Sequence, residues 1–154
     1  MRIVALVGSA AAACLLAASA QASARPVTEQ DKELLARAST YEERIAEQVT
    51  RRLTGHAASV RCGSLGTSNA NVLGVTPLLH GRSFDYYLLR PSECTYLAWF
   101  RRSPARWDPR SCAAADCPIV PRIAMALAVV AHESYHVLGY SNEAQVECYG
   151  LQST

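Results

Sequence analysis

Apolar and polar positions fall into distinct patterns along the chain. Residues 3–18 are apolar and rich in alanine. Over 26–55 the pattern becomes helical: Leu34, Ala38, Tyr41, Ile45, Val49 and Leu53 recur at the spacing of one helix face, which predicts a single long amphipathic helix. Thr28 and Asp31 form a capping-box pair at its start, and Gly55 is its stop. Glu42, Glu43, Arg44 and Glu47 are expected on its solvated face.

From 56 to 89 the period shortens. Residues 58–62 alternate, 63–71 are loop-like, and 72–75 and 84–89 are β-branched or aromatic runs bounded by Gly, Pro and Ser. A small antiparallel sheet of two or three strands is expected, with His56 and His80 as surface histidines in its loops. Residues 91–102 predict a short helix with Leu97, Trp99 and Phe100 for packing. A loop carrying Arg106, Trp107 and Arg110 follows, and Arg101 and Arg102 lead into it. Without a motif to organise them, these arginines are read as solvated. Residues 123–131 are apolar on all sides, the pattern of a buried helix, with Pro121 able to open it.

Composition adds three constraints. Arg2, the apolar run and the overlapping A-x-A sites at 20–22 and 22–24 mark 1–24 as a signal peptide, which leaves 25–154 as one domain. The run is too short and too alanine-rich for a lasting membrane anchor, so a secreted or extracytoplasmic location is expected, with no stable membrane insertion after signal removal. Of the 15 Lys and Arg, Arg2 lies in that leader; the remaining 14 face 13 Asp and Glu, so no global field favours nucleic acid. In an exported protein the five cysteines beyond the leader favour disulfides. A local Cys112–Cys117 bond and one further bond among Cys62, Cys94 and Cys148 are expected.

The chemistry is concentrated in the stretch 131–150. On a helix His132 and His136 leave the same face one turn apart and can meet on one metal ion. Glu133 lies about 100° further round, where a carboxylate can act as general base toward a metal-activated water without itself ligating. Two neutral imidazoles with a carboxylate suit zinc. With only 4 histidines in the chain, such a coincidence is expected on the order of once in a few hundred similar chains.

This segment resembles the active-site helix of the HExxH zinc metalloproteases, the zincin group. His132, His136 and Gly139 follow the longer metzincin signature, but Asn142 stands where that group has a third histidine. The run 142–147, Asn-Glu-Ala-Gln-Val-Glu, resembles instead the Asn-Glu-Ala-x-x-Asp pattern of the gluzincins. The resemblance covers about twenty residues and implies Glu143 as third ligand, with Glu147 supporting a ligand histidine. Periodicity alone leaves Glu143 and Glu147 interchangeable, since they share a helix face. On an unbroken helix Glu143 would sit about 10 Å along the axis from His136, so a tight αα-hairpin is required. Gly139 can end the first helix, and Ser141 or Asn142 can cap the second.

The resulting expectation is an α+β fold: a long N-terminal helix, a small antiparallel sheet, and a buried active-site helix turning back through an αα-hairpin in a minimal zincin-like arrangement. The resemblance implies a secreted zinc-dependent peptidase acting on a peptide or protein substrate, with Glu133 catalytic and His132, His136 and Glu143 binding Zn2+. Because the chain ends soon after Glu147, the usual downstream transition-state donor is missing, and Tyr135, Tyr140 and Tyr149 are candidate replacements. The alternatives are a zinc-holding module without catalysis and a disulfide-stapled structural domain without metal.

Overall fold

The computed structural model describes residues 26–67, 69–79, 82–102 and 120–153. The expected leader, His80, the loop carrying Arg106 and Arg110, and the Cys112–Cys117 bond lie outside these residues.

The fold is α+β. In chain order come α1 (Glu29–Ala36), α2 (Tyr41–Thr54), β1 (Ser59–Cys62), β2 (Gly74–Val75), β3 (Leu78–Leu79), β4 (Arg82–Ser83), β5 (Tyr86–Leu89), α3 (Pro91–Arg102), α4 (Val120–Val137) and α5 (Glu143–Ser153). The sheet order is β1-β5-β2, with β3 and β4 forming a separate two-stranded ribbon. Strand β5 is buried at every position, as a central strand covered on both faces must be. Its Tyr87 and Leu89 join Val60, Leu97, Ala126 and Val130 in the core beneath α2, α3 and α4. Tyr86 and Leu88 face the other way, into a smaller cluster with Leu65, Val72 and Val75. Among the described residues no helix is long and apolar enough to cross a membrane.

The long first helix is corrected to two. Thr28 and Asp31 cap α1 as expected, but the helix ends at Ala36 and a second capping box, Thr40 with Glu43, starts α2. A buried arginine accounts for the break. Arg61 on β1 donates to the carbonyls of Leu34 (2.8 Å), Leu35 (3.4 Å) and Arg37 (3.2 Å), which satisfies groups that the end of α1 leaves open. Its Nη1 also reaches Ser39 Oγ, Glu47 Oε1 and the Val60 carbonyl.

The solvated face of α2 is corrected with it. Glu43 is fully buried, and Glu47 accepts from the backbone N–H of Val60 as well as from Arg61. The sheet is corrected from antiparallel to mixed, because β1 pairs parallel with β5 while β2 pairs antiparallel with it. Residues 63–85 supply the long connection that parallel neighbours require. Helix α3 forms over the expected residues, but Trp99 and Phe100 are 41% and 37% exposed and only Leu97 is fully inside. Helix α4 is not buried all round, since Met125 in its second turn is 45% exposed. Of the three candidate cysteines, Cys62 and Cys94 form the disulfide, joining the end of β1 to the first turn of α3 across 32 residues. Closing a loop of that length stabilises a fold by about 3–4 kcal/mol in the chain-entropy picture.

Burial alone would raise the Glu43 carboxyl. Hydrogen bonds from Arg37 and from the backbone N–H groups of Cys62 and Thr40 outweigh that and hold it below the usual carboxylate range. The contribution of a depressed carboxyl is present above the unfolded value and is lost as pH falls through the folded one. Glu43→Gln is expected to cost about 2–3 kcal/mol in denaturant unfolding at neutral pH. The gap between variant and wild type should narrow below about pH 4.5, and a gap that widens on acidification would contradict this.

Candidate metal centre

Helix α4 carries His132, Glu133 and His136 into the interior, 4%, 3% and 0% exposed. The chain then reverses. Gly139 takes a φ of 94°, its N–H donates to the His136 carbonyl at 2.8 Å, and Asn142 Oδ1 caps α5 by accepting from the Gln145 N–H. The expected αα-hairpin is therefore present, with Asn142 as the cap. Gly150 lets the helices close: a Cβ there would lie 3.3 Å from the His132 backbone nitrogen, leaving no room for a larger side chain at standard contact.

The hairpin brings three ligating atoms together. His132 Nε2 and His136 Nε2 are 3.0 Å apart, and Glu143 Oε2 and Oε1 lie 3.1 and 3.4 Å from them respectively. Donor atoms from all three residues fall within 4.8 Å of one another. Tetrahedral zinc with bonds of about 2.0–2.1 Å separates its ligand atoms by about 3.3 Å, so the spacing fits one such ion.

The contacts of the outer nitrogens orient both rings. His136 Nδ1 lies 2.8 Å from the Tyr140 carbonyl, which only accepts, so Nδ1 carries the proton. His132 Nδ1 lies 3.1 Å from Glu147 Oε2 and, toward an ionised carboxylate, it too is the donor. Burial, together with the neighbouring His136, pushes the His132 imidazole down to about 4, so it is neutral near pH 7. Both Nε2 atoms thus face each other and the Glu143 carboxyl, a set of nitrogen and oxygen atoms that could hold a cation.

Glu133 faces another way, toward the sheet. Its Oε2 accepts from the Thr76 hydroxyl at 2.7 Å, and Gly74 of β2 lies against its Cγ and Oε1. Burial pushes its carboxyl up to about 8. Thr76 and Gly74 were missed in the sequence, where only the position of Gly74 beside a β-branched run hints at a close approach. The three tyrosines form a cluster of their own with ring centroids 5.3–6.1 Å apart, and the Tyr135 hydroxyl is 2.7 Å from Ser153 Oγ. His56 Nε2 pairs with Asp85 at the surface, consistent with its expected role.

Two predictions follow from these positions. Glu143→Ala should weaken zinc binding more than Glu147→Ala, whose loss unfixes His132 Nδ1 and costs roughly 10- to 100-fold. A competition titration giving the reverse order would make Glu147 the ligand.

In metal-free protein Glu133 also sets a pH dependence. Below its ordinary value of 4.5 both states hold the proton; between there and about 8 only the folded chain retains it, so stability falls as pH rises. Glu133→Gln should flatten that decline, and identical unfolding profiles for variant and wild type from pH 5 to 8 would refute the assignment.

Comparison with protein-family models, curated proteins and solved structures gave no match to this chain.

Proposed function

We propose that the protein is a zinc-dependent peptidase of minimal, zincin-like build. The observation that carries this reading is the convergence of two imidazole Nε2 atoms and one carboxyl group, with each imidazole oriented from behind by an acceptor near its Nδ1. His132, His136 and Glu143 hold the ion. Bound zinc polarises a carbonyl and acidifies water at neutral pH.

The chain's own groups do the rest. Glu133 holds and releases a proton at its carboxylate, and its elevated proton affinity suits general acid–base work near neutral pH. Strand β2 is an edge strand of the sheet and lies directly on Glu133, so an extended peptide that adds to this edge is delivered beside the base. The α4–α5 hairpin forms the opposite boundary, where Glu143, 38% exposed at its side chain, is the most accessible of the three ligating residues. The disulfide accords with an exported protein.

A second reading, a zinc-holding module without catalysis, is favoured by one observation: Glu133 is only 3% exposed, with Thr76 and Gly74 packed on it. The two readings differ in hydrolysis and share metal binding. Purified oxidised protein should contain one zinc per chain and cleave members of a peptide library. Glu133→Gln should retain the metal and lose about 10²- to 10⁴-fold in rate. Unchanged turnover in that variant would end the peptidase reading, and absence of stoichiometric zinc would end both.

A further inference from the structure

We propose that Thr76 is a positioning residue that holds the Glu133 carboxylate in a cradle formed by β2, coupling the edge strand to the base. The inference rests on the peptidase reading for its functional meaning, and on separate geometry for the tether itself.

Successive strand residues point to opposite faces. Val75 of β2 is 1% exposed and joins the cluster with Val72 and Leu88, while Gly74 and Thr76, which follows the strand, lie against Glu133 of α4. Gly74 contributes only absence: a Cβ there would lie 2.8 Å from both Cγ and Oε1 of Glu133 and 2.9 Å from Val129 Cγ1. Thr76, fully buried, contributes its hydroxyl and its backbone N–H. Its hydroxyl lies 2.7 Å from Glu133 Oε2 and 3.3 Å from the Glu133 carbonyl. The shorter contact has the length of a hydroxyl donating to a carboxylate and fixes the carboxyl plane. Among the described residues, no hydrogen-bonding side chain other than Thr76 holds that carboxyl. A shift of β2 when a peptide pairs with its edge is passed to the base through Thr76, the residue that directly follows the strand.

The test uses the full zinc-loaded chain with carbon-13 in the glutamate carboxyls, as wild type, Thr76→Val, Thr76→Ser and Glu133→Gln. The Glu133 carboxyl resonance is identified by its loss in Glu133→Gln. In Thr76→Val that resonance should move, zinc affinity should stay unchanged, and kcat should fall by about 10²-fold with KM unaltered, the scale expected for a misplaced reacting group. Thr76→Ser, which restores the hydroxyl, should return both resonance and kcat toward wild type.

A resonance that stays in place in Thr76→Val overturns the tether. A resonance that moves without loss of kcat overturns the positioning role. If wild type hydrolyses no peptide, the peptidase reading falls, while the resonance in Thr76→Val and Thr76→Ser still decides the tether.

Discussion

His132 Nε2 and His136 Nε2 lie 3.0 Å apart, so close that two bare lone pairs would repel and a proton or another cation belongs between them. The acceptor behind each ring fixes the orientation that brings them there. Tyr140 accepts from His136 through a backbone carbonyl that exists only because the chain reverses at Gly139, and Glu147 reaches His132 only because α5 runs back along α4. The hairpin is therefore inseparable from the orientation of the rings. Removing water from two imidazoles and neighbouring carboxylates is costly unless they are paired, and here each has a partner.

The scaffold around this hairpin uses buried polar groups as joints. Arg61 from β1 closes the end of α1, which lacks a glycine stop, and Glu43 ties the start of α2 to β1. A third joint lies directly beneath α4. Ser134 Oγ lies 2.6 Å from the Val130 carbonyl and 3.0 Å from Thr50 Oγ1, Thr50 donates to the Ala46 carbonyl, and the Tyr87 hydroxyl lies 2.7 Å from Thr50 Oγ1. Three hydroxyls with one proton each are thereby satisfied without water, and burial drives the Tyr87 phenol up, keeping it neutral. These joints hold α2, β5 and α4 in fixed relation, which is what lets β2 rest on Glu133.

Much of this was legible in the sequence wherever a local rule governed it. The four-residue spacing of His132 and His136, the reversal at Gly139, the cap at Asn142 and the Thr28 capping box all depend on neighbours within a few positions, and each stands where spacing put it. What escaped depends on distant partners. Glu43 looks like a solvated acid until Arg37 and the Cys62 amide are folded against it. The break before α2 is invisible without Arg61. The parallel pairing of β1 with β5 leaves no mark in strands of four residues, and a two-residue β2 is too short to show any period, so the partnership of Thr76 with Glu133 had no local signature.

That division between near and far has a kinetic side. His132, His136, Glu143 and Glu147 lie within one stretch of sixteen residues, so the contact between His132 and Glu143 closes a loop of only eleven. The contact between Thr76 and Glu133 spans 57 positions. For flexible loops the difference in closure entropy is about 1.5 kcal/mol, and it falls on the base alone. A chain still gathering its sheet can thus already close the contact between His132 and Glu143 while the Glu133 carboxyl has yet to meet Thr76.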